Sequence, residues 1–186
     1  MDSLIEAAKA YANLFDKDYI YMLETNVTLQ VYFVPDFFHH LIGLQKLVDI
    51  PQVVNGYQNN ARYIFKNIIS GIITLDDLRK SRYFHDMEAR LRHFLQINAL
   101  VEFEKIIVEF NSSLISSKID KADYILFKRS NDNMYLNLFL KEDSANKSKQ
   151  IPLTFIPCPN DYYTYGQKVI NILSMTRRER TGKKNK

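Results

Sequence analysis

The dominant spacing of apolar residues changes near residue 118 of this chain. Before that point most apolar residues recur at intervals of three and four, which is typical of one face of an α-helix. After it, short segments alternate or run apolar between polar turns, which favours antiparallel strands. A chain of 186 residues has the length of one domain. The pattern therefore predicts a single α+β domain over residues 1–176, with N-terminal helices and a β-hairpin packed on a C-terminal antiparallel β-meander.

The helical patterns differ in how well their ends are marked. Gly71 stands where a glycine commonly follows a helix, and Thr74 with Asp77 resembles a capping box that opens a short helix. The residues between 99 and 110 fit a helix better than a strand, although they are ambiguous. Longer helices are predicted over 2–15, 37–48, 59–70 and 82–98.

The strand patterns begin with a segment rich in β-branched and aromatic residues. It predicts a hairpin with strands at 18–23 and 27–34, joined through polar residues and closed by Pro35. Residues 168–175 fit either a further strand or a closing helix. Three more strands are predicted in the segments DYILFKR, MYLNLFLK and IPLTFIP.

The composition excludes several classes of protein. No run approaches the ~18 consecutive apolar residues of a membrane-spanning helix, and the N-terminus lacks the pattern of a signal peptide. Cys158 is the single cysteine, which excludes an internal disulfide framework. We therefore expect no membrane association and a location in the reducing cytoplasm.

The net charge of +4 is concentrated at one end. The last ten residues, RRERTGKKNK, hold six cations and one glutamate, so the rest of the chain carries a slight negative charge. We expect residues 177–186 to form a basic disordered tail. Such a tail is either a solvated end or a weak attractor of nucleic-acid phosphates.

Strong motifs for metal or nucleotide chemistry are missing from the sequence. It contains no GxGxxG, HExxH, paired CxxC or GxSxG pattern, and its five glycines do not form a phosphate-binding loop. We expect neither a metal nor a cofactor. The remaining chemistry lies in His, Lys, Arg, Tyr and Thr side chains.

The segment FHHLIGLQKL carries the most informative of these side chains. If it is a continuous helix, His40 lies at the edge of the apolar face and His39 points toward solvent. Gly43 would cost about 1 kcal/mol inside a helix, so a close approach of another backbone or a ligand is expected there. His40 is then either a half-buried packing residue bonded to a carbonyl or a functional group.

Several segments together resemble a known family. FFHHLIGLQKL, RYIFKNIISG, ADYILFKRS, LTFIP and YYTYGQKVINIL are similar, in order, to the fourth group of phage-associated Barnase–EndoU–Colicin–RelE-like nucleases. The similarity spans residues 15–175. It implies helices packed on an antiparallel sheet, as in small bacterial RNases and ribosome-associated toxins, and it implies a metal-independent nuclease. It also allows an antitoxin or immunity protein as a partner.

The resemblance assigns roles to particular residues. His40 matches the family histidine and would carry proton transfer, while Gly43 and Lys46 match the rest of that motif. Thr154 matches the later strand, and the closing motif contains Gln167 and one of three nearby tyrosines, of which we choose Tyr163. On the next helix Arg62 and Lys66 share a face and would hold the phosphate. The predicted catalytic residues are His40, Lys66, Thr154 and Tyr163, and the predicted substrate-binding residues are Gly43, Lys46, Arg62 and Gln167.

The predicted reaction cleaves RNA through attack by its 2′-hydroxyl, leaving a 2′,3′-cyclic phosphate. A histidine with a pKa near 6.5 suits proton transfer at neutral pH. The competing hypothesis is an inert RNA- or protein-binding module of the same fold, in which His40 is structural. A third is an interaction protein that docks on a phage or toxin partner.

Overall fold

The computed structural model describes residues 2–54, 60–117 and 119–180. Within these ranges the helices are short, and each begins or ends where the sequence supplies a cap or a helix breaker. Asn60 accepts a hydrogen bond from the backbone N–H of Tyr63, and Thr74 with Asp77 forms a capping box. The helices are α1 (Ser3–Ala12), α2 (Pro35–Leu41), α3 (Ala61–Ile69), α4 (Leu75–Arg79), α5 (His85–Phe94) and α6 (Ile97–Val101).

In the part of the chain that the structure describes, seven strands form one closed, mixed sheet in the order β1-β2-β6-β5-β4-β3-β7. Every neighbouring pair is antiparallel except β2 and β6, which pair in parallel through Gln30 and Val31. The closing pair is β1 with β7, whose register joins Lys17 to Glu179. The strands are β1 (Lys17–Leu23), β2 (Thr28–Tyr32), β3 (Ile106–Glu109), β4 (Tyr124–Arg129), β5 (Tyr135–Asp143), β6 (Asn146–Cys158) and β7 (Lys168–Glu179).

The main core lies between the helices and one face of the sheet. Tyr11 of α1 stands at its centre, in edge or tilted contact with Phe38 and Phe65 at ring-centroid distances of 5.4 Å and 6.2 Å. Its hydroxyl donates to the carbonyl of Val34 at 3.0 Å, so the buried polar atom is satisfied. Aromatic rings in such contacts stabilise a core beyond their burial of surface.

A second apolar cluster covers the other face of the sheet. Successive residues of a strand point to opposite faces, and accordingly Leu126 belongs to the main core while Ile125 belongs to the second cluster. Phe139 of β5 and Phe110 complete its centre, with ring centroids 5.2 Å apart. Tyr163 packs at the edge of this cluster, which places it beside β6.

The α+β class and the predicted hairpin are confirmed, with one difference in how they join. The hairpin of β1 and β2 is part of the sheet and closes it, so it does not pack on a separate meander. Strands β4, β5 and β6 do form the predicted meander. Residues 168–175 belong to a strand, which settles the alternative left open by periodicity.

Three sequence predictions are wrong in detail. The helix expected over 37–48 stops at Leu41. The helix expected over 99–110 ends at Val101, and 106–109 form β3 because they fill the place between β4 and β7. The helix expected over 82–98 is divided into α5 and α6.

The basic tail also begins later than predicted. Arg177 and Arg178 lie on β7 because its pairing with β1 continues to Glu179, and the backbone N–H of Arg180 donates to the carbonyl of Asp16 at 2.7 Å. The expectation is therefore wrong for 177–180. Residues 181–186 and the loop expected around Asn55 lie outside the described residues.

None of the helices in the described ranges has the length and apolar character needed to cross a bilayer.

Candidate active site

A cleft of about 550 Å³ opens where the helices meet strand β6. Its walls come from the turn after α2, from α5, from β6 with the turn that follows it, and from the segment before β4. These parts are distant in sequence, so only the fold brings them together. The side chains that line the cleft and can take part in chemistry include His40, Lys46, Arg90, Lys121, Thr154 and Tyr163.

Gly43 shapes the wall that carries His40. It has φ +89°, a left-handed conformation that residues with a Cβ rarely adopt, and this ends the helix before a single 3-10 turn over Leu44–Lys46. A Cβ on Gly43 would lie 3.3 Å from Cβ of Met87 and 3.4 Å from Cδ of Arg90. The expected close approach is therefore present, but its cause is a backbone turn packed on α5.

The two adjacent histidines have opposite surroundings. His39 is only 2% exposed and donates from Nε2 to the carbonyl of Val53 at 2.7 Å, while His40 is exposed and lines the cleft. The expectation that His39 points toward solvent is wrong, because the chain turns at Gly43 and the helical wheel does not continue. The packing role considered for His40, a ring bonded to a carbonyl, is filled by His39 instead.

The surroundings of His40 favour a neutral ring. Loss of hydration lowers its pKa below the ordinary value, and the Lys141 ammonium adds to this effect. No described residue forms a hydrogen bond with the His40 ring; its nearest aromatic contact is His39, with ring centroids 5.4 Å apart. A neutral imidazole at neutral pH can accept a proton.

Arg90 joins three walls of the cleft. Its Nη1 donates to Oγ1 of Thr154 at 3.0 Å and, more weakly, to the carbonyl of His40 at 3.4 Å. Desolvation lowers its pKa, while the nearby Tyr163 and Asp86 oppose that shift; the guanidinium remains charged at any physiological pH. No described carboxylate pairs with it, so its charge is available to an anion in the cleft.

Like Lys121, Arg90 is a functional candidate that the sequence analysis missed. The signal was present in α5, where Met87, Leu91 and Phe94 form the buried face and Arg90 lies at the edge of that face. An arginine in such a position can bury its stem and present its charged end to a groove. Periodicity shows the edge position, but only the tertiary structure shows what that edge faces.

Tyr163 is the closing-motif tyrosine that lines the cleft. Its ring makes edge contacts with Phe139 and Tyr162 at centroid distances of 5.2 Å and 5.0 Å. Burial raises the pKa of its hydroxyl, Cys158 and Tyr162 add to the shift, and Arg90 opposes it. The hydroxyl is therefore a neutral donor at neutral pH. Tyr165, by contrast, is 76% exposed.

Lys46 and Lys121 add two positive charges to the cleft. Among the described residues neither ammonium has an ion-pair partner, and Asp120 supplies the one carboxylate of the described lining. Lys46 and His40 both reach the cleft because the turn at Gly43 separates them; on a continuous helix they would diverge. The charge balance of the cleft favours an anionic ligand such as phosphate.

Three predicted site residues lie elsewhere. Arg62 forms an ion pair with Asp36 at 2.8 Å, and Lys66 is exposed on α3 and does not line the cleft. Gln167 is buried, accepting from the backbone N–H of Asn111 at 2.8 Å and donating to its carbonyl at 3.1 Å. Arg62 and Lys66 lie on α3, which does not contribute to the described lining of the cleft, and Gln167 fixes the loop at Asn111.

Within the described ranges no three or more His, Cys, Asp or Glu side chains are grouped as a metal site would require. Cys158 is a free thiol whose Sγ lies 3.2 Å from Oδ1 of Asn160.

A comparison with models of protein families gives a match. A family model described as phage-Barnase-EndoU-ColicinE5/D-RelE like nuclease4 matches residues 3–186, nearly the whole chain. The resemblance predicted from the sequence motifs is thereby confirmed. No curated protein and no solved structure matches the chain significantly.

Proposed function

Because the chain belongs to the phage-Barnase-EndoU-ColicinE5/D-RelE like nuclease4 family, we propose that it is a metal-independent endoribonuclease whose active site is the cleft around His40. The family description names phage-associated nucleases; the choice of RNA, the mechanism and a cytoplasmic location are our proposal. One observation carries it. Among the described lining residues, His40 shares the cleft with the cations Lys46, Arg90 and Lys121.

The cations define where a phosphodiester would lie. Phosphate oxygens are bound best by paired N–H donors of an arginine, and Arg90 is held in one orientation by its hydrogen bond to Thr154 at 3.0 Å. A donor fixed before the reaction stabilises the charge that gathers on the phosphoryl oxygens, by up to a few kcal/mol. Arg90 therefore takes the role of phosphate clamp that the sequence analysis gave to Lys66 and Arg62.

His40 carries the proton transfer in this proposal. Its neutral ring takes the proton of the 2′-hydroxyl, the 2′-oxygen attacks phosphorus, and the bond from phosphorus to the 5′-oxygen breaks. The leaving oxygen takes a proton from a donor of the cleft, for which Tyr163 and Lys46 are the candidates. The products are a 2′,3′-cyclic phosphate and a 5′-hydroxyl. Such proton transfers contribute on the order of 10²–10⁴ in rate.

A binding module of the same fold is the second candidate function. It is favoured by the absence of a described carboxylate or carbonyl bonded to the His40 ring, since catalytic histidines are commonly oriented by such a partner. In that case the cleft would retain RNA, or an acidic segment of a protein partner, without cleavage. An antitoxin or immunity protein would act on either function by filling the cleft.

Incubation of the protein with total RNA in EDTA tests the proposal. We expect cleavage by the wild type, 2′,3′-cyclic phosphate ends, and loss of activity in His40→Ala. His85→Ala is the matched control, because His85 is exposed and lies beside Asp86 at 3.2 Å, outside the cleft. Equal cleavage by His40→Ala would refute the assignment, retention of RNA without cleavage would favour the binding module, and preferential cleavage of DNA would exclude RNA as the substrate.

A further inference from the structure

One wall of the cleft is a segment that lies outside the sheet. Residues 111–117 and 119–122, which we call the wall segment, lie between β3 and β4 and line the cleft with side chains that include Lys121. The segment leaves the sheet where the backbone N–H of Phe110 donates to the carbonyl of Asp123 at 2.8 Å. Beyond that bond, the described backbone-to-backbone hydrogen bonds of the segment run within the segment itself. Its position therefore depends on contacts made by side chains.

Gln167 fixes the start of the wall segment. It is 8% exposed, and its side-chain amide makes two hydrogen bonds with the backbone of Asn111. Oε1 accepts from the Asn111 N–H at 2.8 Å, and Nε2 donates to the Asn111 carbonyl at 3.1 Å. Asn111 in turn accepts from the backbone N–H of Ser113 at 3.0 Å. The first turn of the wall segment is therefore set by a residue that lies just before β7.

Tyr162 fixes the middle of the wall segment. Its hydroxyl donates to the carbonyl of Ser116 at 2.6 Å, and Ser116 lines the cleft. On either side, Ile115 and Ile119 pack against the second apolar cluster. The ring of Tyr162 also lies edge-on to that of Tyr163, with centroids 5.0 Å apart. Tyr162 therefore contacts two parts of the cleft lining, one through its hydroxyl and one through its ring.

We propose that Tyr162 and Gln167 are positioning residues, which hold the wall segment where it binds RNA in the cleft. This inference rests on the proposed function, because it concerns the same substrate at the same site. Neither residue belongs to the described lining of the cleft. Both act through the backbone of the wall segment, which brings Lys121 to an anionic ligand. Gln167, which the motif resemblance assigns to substrate binding, thus affects binding indirectly.

The expected effect of the two residues is on binding. A wall that is ordered before the ligand arrives loses little conformational freedom when the ligand binds, and this strengthens binding. Loss of the order should weaken binding of the substrate and of the transition state equally, which raises KM and leaves kcat unchanged. A residue that only stabilises the fold would act differently, because a smaller folded fraction lowers the apparent kcat and leaves KM unchanged.

Two variants remove these hydrogen bonds with little change in shape. Tyr162→Phe removes the hydroxyl and keeps the ring against Tyr163. Gln167→Met keeps an unbranched side chain and removes both bonds to Asn111, which is exposed, so that water can pair with its backbone. Tyr165→Phe is the matched control, since Tyr165 is 76% exposed and is not among the described lining residues. Thermal melting shows whether each variant is folded, and Tyr162→Phe decides the outcome if Gln167→Met is not.

Binding is measured by fluorescence anisotropy with a short single-stranded RNA in which every ribose is 2′-O-methylated, so that the proposed reaction cannot cleave it. Tyr162→Phe should weaken binding of this probe about fivefold, as expected for the loss of one hydrogen bond. Gln167→Met should weaken it at least as much, and Tyr165→Phe should bind like wild type. With cleavable RNA, Tyr162→Phe and Gln167→Met should raise KM by similar factors and leave kcat unchanged.

The outcomes distinguish this inference from the nuclease proposal. The positioning role is overturned, even when RNA is cleaved, if wild type does not bind the probe or if Tyr162→Phe binds it as tightly as the control. It is also overturned if the variants lower kcat and leave KM unchanged. If Tyr162→Phe weakens binding of the probe but wild type cleaves no RNA, the positioning role stands and the nuclease proposal fails.

Discussion

The guanidinium of Arg90 donates to the hydroxyl of Thr154 across 3.0 Å, linking helix α5 to strand β6 at the cleft. Apart from this bond and the longer contact to the His40 carbonyl, the described part of the chain offers the guanidinium no hydrogen-bond acceptor. The Arg90 guanidinium is thus held by a neutral hydroxyl, and its positive charge remains available to an anionic ligand.

Replacing Arg90 by lysine should lower kcat/KM for RNA cleavage by about 10²–10³, because a lysine cannot bind phosphate through two parallel N–H groups. Arg92→Lys is the matched control on the same helix, since Arg92 is exposed and faces Glu88 at 3.5 Å. Unchanged activity in Arg90→Lys, with the control also unchanged, would remove Arg90 from the site.

Gly43→Ala should destabilise the protein by about 1–2 kcal/mol, because alanine is strained in the left-handed conformation of this position. The added Cβ should also displace Arg90 and so lower the activity. Gly166→Ala separates the two effects. Gly166 has φ +69° but no atom within 4 Å of a built Cβ, so it should cost stability alone. Denaturant unfolding and cleavage rates measure both. Equal activity in the two variants would show that contact with Arg90 does not matter.

The pH dependence follows from the lowered pKa of His40. As the general base, His40 must be neutral, so kcat/KM should rise with pH through a pKa below 6.5 and level off above it. Lys141→Gln removes the smaller of the two causes and should move this inflection to higher pH. An inflection above 6.5 in wild type would contradict the assignment.

The same shifts predict how stability changes with pH. The pKa values of His39 and His40 are lower in the folded chain than their ordinary value, so the unfolded chain binds protons first as the pH falls. Their contribution is fully present above pH 6.5 and is lost as the pH falls through the folded pKa values. His39→Gln should weaken this loss in chemical denaturation followed from pH 7 to pH 5.

Asp18→Asn should destabilise the closed sheet by about 3–5 kcal/mol, because it breaks a buried charge cluster and leaves a cation behind. Asp18 is 5% exposed, accepts from Gln30 at 2.7 Å and pairs with Lys149 at 3.3 Å. Asp76→Asn is the control, since Asp76 is exposed and pairs only with Arg79 in the described chain. Similar unfolding midpoints for the two variants would contradict this account.

Local patterns predicted much of the fold because they report local forces. The hairpin, α3, the capping box and the strands after residue 118 all follow from periodicity and turn residues. The end of α2 at Gly43 did not follow, since a glycine inside an apolar repeat is compatible with either a helix or a turn. Strand β3 was missed because it is held by pairing with β4 and with the distant β7, and its own four residues do not show this pairing.

The candidate site was predictable only in part, for the same reason. The motif resemblance selected His40, Lys46, Thr154 and Tyr163, and the structure brings these to one cleft. Their catalytic roles stay predictions. Lys66 was chosen because it shares a helix face with Arg62, yet a shared face does not show which groove the face borders. Arg90 reaches the cleft through a contact between α5 and β6, which no local pattern contains.

The pairing of β1 with β7 has a consequence for how the molecule is made. Every described residue of the cleft precedes β7 in the sequence. During synthesis these residues are therefore made before the strand that closes the sheet. Contacts between distant segments form slowly compared with helix contacts. We therefore expect the pairing of β1 with β7 to be a late step of folding, after the walls of the cleft have formed.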